Sequence, residues 1–357
     1  MLFGKLERYV AKAVFSATLL VIIVLVAVMS ISLFLQEIER VNRHYLESDV
    51  LYVVLLSIPS MVYQILPVAV LIGVLLGVGG LSEKSEITAI RASGFKKSWF
   101  VIVLIKFSFI LALFFTILSQ FGLPELASVV NDRKVQGKGG SAYSIEGSGG
   151  WFKESNNFVN VSSIRSNGTL NEVKIFQFDD DGRLLGSTFA KRGFFNQDSK
   201  AWELENVEKT LSKSGKMQRE MLSTYRWNSD LEPSLLWLTL AIPTDLSLSH
   251  LRALISYQKK QGISTVSKQL VFWQKLFLPL SVISLALVGL AFVLKADRSV
   301  SVGQRIVVGV LIGFTFKYIQ EILGPLSQIF GLTPLFSALF PIVLGLCIAT
   351  WLLARVR

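Results

Sequence analysis

Read for apolar and polar positions alone, the 357-residue chain alternates long greasy runs with short charged gaps. Six runs approach the roughly 20 apolar residues that cross about 30 Å of hydrocarbon. They are Ala13–Leu35, Leu51–Leu81, Trp99–Phe121, Leu270–Leu294, Ile306–Leu323 and Thr333–Ala354. The second is long enough to tilt or to overhang the bilayer. Pro59 and Pro67 are its kink positions, tolerable where neighbouring helices satisfy the freed carbonyls. Lys5, Arg8 and Lys12 precede the first run in the manner of a secretory signal. That run is too long for such a signal and no cleavage site follows, so it reads as a retained anchor. Two readings of the first dozen residues stay open. Phe3, Leu6, Tyr9 and Val10 share a helical face suited to a membrane surface, or the segment simply continues span one.

Between spans three and four the pattern changes to period two. Gly122 to Gln269 is a polar insertion rich in β-formers. Two runs flank the turn Asp179–Gly182, and a second pair flanks Lys213-Ser214-Gly215-Lys216. Trp151 to Ile164 adds a strand or two, and short strands at this spacing predict a sandwich or open jelly roll. A helix then returns the chain to the membrane, with Ser247 or Ser249 as N-cap and Gly262 past its end. The predicted fold is therefore a six-span α-helical membrane protein with an inserted all-β, jelly-roll-like domain. Its parts are 1–121 (spans one to three), 122–269 (β domain with return helix) and 270–357 (spans four to six).

Charge decides orientation. With 52% hydrophobic and 17% charged residues the chain reads as a polytopic membrane protein. The formal net charge of +11 could point to nucleic acid, but where the charges sit argues otherwise. With the N-terminus inside, the inner segments hold Lys5, Arg8, Lys12, Lys84, Arg91, Lys96, Lys97, Lys295, Arg298, Arg305, Arg355 and Arg357. The short outer loops hold only Arg40 and Arg43, beside four acids. By the positive-inside rule both termini are cytoplasmic and the β domain lies outside. The single Cys347 forbids an intrachain disulfide. His44 and His250, the only histidines, are too far apart in sequence to read as a metal motif, and no nucleophile constellation appears. No G-x-x-x-x-G-K-[ST] phosphate loop is present, so the chain is not expected to bind ATP.

One charged gap is helix-prone. In SEKSEITAIRASGF, Ser85 is a candidate cap and Glu86 complements the dipole of a first turn. Gly94 suits the left-handed position after the end, and Ile87 and Ile90 give an apolar side. The residues predict a short helix, 83–94, across the cytoplasmic end of a hairpin of spans. A solvated turn carrying positive-inside charge is the plainer alternative.

SEITAIRASGF between spans two and three resembles the coupling segment of the LptF/LptG (YjgP/YjgQ) family of lipopolysaccharide-export permeases. LERYVAKAVF is similar to the family's start, Trp273–Val282 to its span-four entry, and Asp297–Pro341 to its last two spans. The Arg-Ser-Val entry and the Gly-Pro-Leu-Ser…Gly-Leu-Thr-Pro turn are more similar to the LptG branch than to the LptF branch. The resemblance implies a half-transporter of the bacterial inner membrane, not itself an enzyme and holding no cofactor. It implies an LptF-like permease partner, an LptB-like ATPase dimer that binds the ATP, an LptC-like bitopic protein and a periplasmic bridge protein. Its substrate would be lipopolysaccharide, and no nucleic acid is involved. It also implies ATPase coupling through Ser85, Glu86, Ala89, Ile90, Arg91, Ser93 and Gly94. Arg133 and Lys134 match a basic cluster of the family facing the phosphorylated headgroup. Where the family carries lysines after span one, this chain has Leu33 and Glu39, with Arg40 nearby.

Ionisable residues within spans are functional candidates because charge at that depth is costly. Lys106 and Lys275 lie near span ends and are expected to reach headgroups. Lys317 and Glu321 lie one turn apart on span five, either neutralising each other or touching substrate. Gly73-x-x-x-Gly77 and Gly309-x-x-x-Gly313 allow close helix approach. By resemblance Gly309, Gly313, Phe314 and Phe316 belong to a lateral gate. Pro325 and Pro334 bound the outer turn and are expected to stop its helices, with a hinge of the gate as the alternative. Phe176, Phe178, Phe189, Phe194, Phe195 and Trp202 are ordinary β-domain core or the lining of an acyl-chain groove. Rival readings are a permease of another ABC exporter, which would place its outer domain after span one, and a membrane scaffold or sensor. An intramembrane enzyme is disfavoured without an intramembrane histidine or paired acids, and a secondary transporter without an internal repeat.

Overall fold

The computed structural model describes residues 4–41, 45–136, 150–154, 156–164, 169–213, 216–229, 233–240, 242–295 and 301–355. Phe3, Arg43, His44, Ser214, Gly215, Arg298 and Arg357 lie outside these described residues.

Six helices are long and apolar enough to cross a membrane. They are α1 (Lys5–Ile38), α2 (Glu47–Glu83), α4 (Lys97–Gln136), α8 (Leu278–Lys295), α9 (Val302–Ile329) and α10 (Pro334–Arg355); α3 (Glu86–Ala92) fills the turn between α2 and α4. Helix α1 is continuous from Lys5, which decides between the two readings of the N-terminal segment. Helices α2 and α4 run through Pro59, Pro67 and Pro124.

Two expectations are corrected. The fourth apolar run is not one helix: α7 (Val266–Leu276) ends before α8 begins. Pro279 has no N–H for the Lys275 carbonyl and its ring crowds that carbonyl. The ladder resumes on either side, with Phe277 N–H bonding Trp273 O and Ser281 N–H bonding Phe277 O, each at 2.9 Å. Pro325, by contrast, does not stop its helix. It costs α9 one hydrogen bond, and the helix continues to Ile329, with Gly331 at φ 66° just beyond. Pro334 sits at the first position of α10, where its missing donor costs nothing.

Contacts divide the chain into two units. The first comprises Met1–Leu33, Ser57–Pro124 and Val266–Arg357. Helix α2 is its packing centre. Gly73 lies against Thr18, and a Cβ on Gly77 would fall 2.8 Å from the Ala13 carbonyl oxygen, so both residues of that small-residue pair seat α1. On other faces of α2, Gly289 of α8 meets Leu71 and Val74, Gly309 of α9 meets Ile72 and Leu75, and Gly313 meets Val68. Leu66, Val70, Leu71, Val74 and Leu75 are fully buried in the resulting core.

The second unit comprises Phe34–Leu56 and Glu125–Thr265. Strands β1 (Gly150–Glu154), β2 (Asn157–Ile164), β3 (Leu170–Phe178), β4 (Leu184–Asn196), β5 (Ala201–Lys213) and β6 (Lys216–Trp227) form one antiparallel sheet in sequence order. Alternation fixes its buried face: Phe152, Val159, Val161, Val173, Ile175, Ala190, Leu204 and Val207 share a core with Trp202 and Trp227. Leu236 of α5 (Pro233–Leu240) and Tyr257 of α6 (Leu248–Lys260) join that core. Phe195 packs against it, whereas Phe158, Phe189 and Phe194 are exposed. One cleft is lined by Glu154 and Asn157 together with Ser199, Lys200, Arg226, Asn228 and Ser229. In a flat sheet β1 and β6 would stand about 24 Å apart at ~4.8 Å per strand, so the sheet is curled. Helix α6 has the caps read from sequence. Ser247 Oγ accepts from His250 N–H at 3.1 Å, and Gly262 takes φ 67°.

Substituting Gly77 with Val is expected to push α1 from α2 and destabilise the detergent-solubilised chain by about 1–3 kcal/mol, the usual cost of overpacking. Gly80→Ala, with nothing within 4 Å of the new methyl, should cause no loss in the same thermal unfolding assay and gain up to about 1 kcal/mol of helix propensity.

Candidate functional site

The α2–α4 turn holds a short helix that is buried on one side and exposed on the other. Ile87 and Ile90 of α3 are buried in the same core as Val10, Val14, Leu81 and Phe100. Ile90, grouped with the coupling residues by resemblance, therefore faces inward and anchors the helix. Lys84, Ser85, Thr88, Ala89, Arg91, Ala92, Ser93 and Gly94 are exposed. Glu86 is half-buried because Tyr9 of α1 donates its hydroxyl to Glu86 Oε2 at 2.8 Å.

The ends of α3 differ from each other. Ser85 stands at the N-cap, but in the left-handed region (φ 58°, ψ 13°) and with no side-chain cap bond. The sequence reading of Ser85 as a capping side chain is corrected: the tight reversal after α2 holds its backbone in the left-handed region instead of the extended one from which a cap side chain reaches the first turn. At the other end Gly94 N–H bonds Arg91 O at 3.0 Å and Phe95 N–H reaches Ile90 O at 3.4 Å. That pair of bonds, with Gly94 at φ 94°, is a Schellman closure.

A second polar site sits in the β-bearing unit. Glu37 has 3% side-chain exposure. Lys134 approaches its Oε1 at 2.8 Å, Arg40 approaches the same oxygen at 3.3 Å, and the Tyr45 hydroxyl donates to Oε2 at 3.3 Å. Burial, with the Glu37 charge beside it, pushes the Tyr45 phenol far up, so Tyr45 stays neutral and donates at any physiological pH. Arg133 meets Asp49 at 3.5 Å and lies over the Tyr52 ring. Of the residues read as headgroup candidates, Arg133, Lys134 and Arg40 thus sit together, each beside a carboxylate. Arg133 and Lys134 are on α4, which continues beyond the predicted end of span three. Sequence reading missed Glu37, Asp49 and Tyr45; four acids clustered after an otherwise apolar run were the available signal.

The remaining candidates separate. Lys317 and Glu321 are 3.9 Å apart and largely exposed, at 45% and 58%. Lys106 pairs with Glu7 at 3.1 Å. Lys275 does not snorkel: it is 4% exposed, with Nζ 5.4 Å from the Tyr63 ring centroid. Gly309, Gly313 and Phe316 point into the chain's own core, whereas Phe314 faces outward and stacks on Tyr318. The four residues read as a gate therefore occupy two faces of α9. Among the described residues no cluster of acids, histidines or cysteine has the form of a metal site.

Six helices long and apolar enough to cross a membrane, an inserted β domain and a short helix anchored by one face define a polytopic membrane protein. The family model described as "Lipopolysaccharide export system permease LptF/LptG" matches residues 8–355, and the chain belongs to that family. It is 30% identical to the lipopolysaccharide export system permease protein LptG of Escherichia coli K12 over 99% of both chains. It is 31% identical to the protein of that name from Haemophilus influenzae, again over 99% of both. The chain is accordingly a multi-pass protein of the inner membrane and a permease subunit of lipopolysaccharide export.

Because Glu37 is the least solvated charge of its cluster, removing its nearest cation should cost more than removing a rim charge. Lys134→Met is expected to destabilise by about 2 kcal/mol, below the ~3–5 of a fully buried pair because Lys134 is partly solvated. Pairing it with Glu37→Leu should recover most of the loss in denaturant unfolding of the full chain.

Proposed function

We propose that this chain is the LptG-type half of a lipopolysaccharide exporter and that α3 is its contact with the motor. It pairs with an LptF-like permease on an LptB-like ATPase dimer. With an LptC-like bitopic protein it draws lipopolysaccharide from the outer leaflet of the inner membrane and passes it to a periplasmic bridge. The carrying observation is the two-sided build of α3: Ile87 and Ile90 locked in the membrane core, the opposite face exposed at the α2–α4 turn. The absence of a phosphate loop supports a motor in a separate chain, with ATP bound there and no cofactor here.

Positive-inside charge supports cytoplasmic termini and a periplasmic β domain. Arg133, Lys134 and Arg40 are the cations offered to the phosphorylated headgroup. They are held in place by Glu37 and Asp49, whose partnership the phosphates replace. Val307, Leu311, Phe314, Tyr318 and Ile322 form an exposed apolar stripe on α9. Their spacing of three and four makes one helical face, suited to a gate against the companion permease.

Glu86→Lys should leave the chain in the membrane and abolish ATPase recruitment, because it reverses charge in the first turn of α3 and breaks the Tyr9 bond. Affinity purification from detergent extract, with partners and bound lipid identified by mass spectrometry, reads the result. Normal ATPase recovery by this variant would sink the assignment.

A further inference from the structure

Arg305 is a basic residue at the polar end of a span, where positive-inside charge alone would leave it in water. Arg91 and Arg355 behave that way and are exposed. Arg305 is instead buried, with 4% side-chain exposure, and its Nη1 lies 3.0 Å from Glu83 Oε1. Glu83 is the last residue of α2, and only Lys84 and Ser85 separate it from α3.

The surroundings are shaped for this arginine. A Cβ on Gly79 would fall 2.7 Å from Arg305 Nη1 and 2.9 Å from its Cδ, so the arginine side chain lies directly against the Gly79 backbone. Its backbone is fixed by the start of α9. Ser301 Oγ accepts from Gln304 N–H at 3.3 Å, Gln304 Oε1 accepts from Ser301 N–H at 3.0 Å, and Arg305 N–H bonds Ser301 O at 3.2 Å. From there α9 follows α2 along one seam. Arg305, Gly309 and Gly313, four residues apart, meet Gly79, then Leu75 and Ile72, then Val68. The seam is close-packed along its length and closed at one end by the ion pair, beside the turn that carries α3.

We propose that Arg305 is a positioning residue that ties α9 to the base of α3, so that displacement of α3 by a motor is delivered to α9 through the Glu83–Arg305 pair. The inference rests on the motor-contact reading of α3 and extends it by naming the route into the membrane. A close-packed seam transmits displacement because neither helix can yield without opening a void. The pair fixes its register at the end where the push arrives. Removing either partner leaves α3 and its exposed face intact, since Ile87, Ile90 and the Tyr9–Glu86 bond do not involve Arg305. Recruitment of the motor and delivery of its stroke are therefore separable.

The test reconstitutes the full-length chain, with its companion permease and ATPase, in liposomes carrying lipopolysaccharide. Retained ATPase, ATP hydrolysis and lipopolysaccharide released per ATP are measured. Arg305→Gln and Glu83→Gln should each keep ATPase content and hydrolysis within about twofold of wild type. Release per ATP should fall at least tenfold. The swap Glu83→Arg with Arg305→Glu should restore release to within about threefold. If Arg305→Gln fails to assemble, Glu83→Gln carries the test, because Glu83 is partly solvated at 38%. Single variants with wild-type release per ATP overturn the proposal. So does a swap as poor as the singles, and so does loss of the ATPase in every variant, which would make the pair a structural staple. A wild-type complex that retains no ATPase refutes the motor-contact reading itself, and is recognised because the loss precedes any substitution.

Discussion

Close approach of helix backbones to α2 is the constraint on which the membrane unit depends. Hydrocarbon gives no net drive for one apolar helix to leave lipid for another, so association has to come from dispersion at short range. Gly73 and Gly77 supply that range toward α1, Gly289 toward α8, and Gly309 with Gly313 toward α9. Each glycine meets backbone or a branched side chain, so each fixes a register as well as a distance. With its neighbours pinned, α2 becomes the member whose end the rest must follow, and α3 is joined to that end by two residues.

Several polar interactions in this unit sit where registry matters. Tyr9–Glu86 ties α1 to α3, Lys106–Glu7 ties α4 to α1, and Lys97 Nζ donates to the Leu353 carbonyl of α10 at 3.0 Å. These bonds bring segments far apart in sequence to a common layer. Exposed pairs such as Lys317–Glu321 contribute little to stability, about 0–1 kcal/mol. Their value lies in local charge balance on a face that the chain itself leaves open.

The β-bearing unit follows a different logic. Alternation puts aliphatic residues and Trp202 on one face, and antiparallel pairing of sequence neighbours follows from short turns such as Asp179–Gly182. There Arg183 N–H bonds Asp179 Oδ1 at 2.7 Å, and Gly182 takes φ 77°. The charge cluster around Glu37 keeps its cations ordered instead of leaving them as loose surface charge. A buried carboxylate orders Lys134 and Arg40, and a phosphate offers the same chemistry with more charge.

The sequence by itself determined the number of spans, the β character of the insertion, the position of α3 and the closing glycines Gly94 and Gly262. These rest on local physics: apolar length, period-two alternation, and the tolerance of glycine for positive φ. Its resemblance to the LptF/LptG family was carried by ordered motifs, which survive because they are contiguous. What only the tertiary structure decided involves partners distant along the chain. Nothing local distinguishes the buried Arg305 from the exposed Arg91, because burial depends on Gly79 and Glu83 more than two hundred positions away. Likewise Glu37 reads as one of four loop acids until α4 brings Lys134 to it. Pro279 and Pro325 made opposite outcomes of the same missing donor, one breaking a helix and one not, because each freed carbonyl is judged by its own surroundings. Gly309 and Phe314 are neighbours in sequence yet serve opposite faces, since which side of α9 is buried is set by α2.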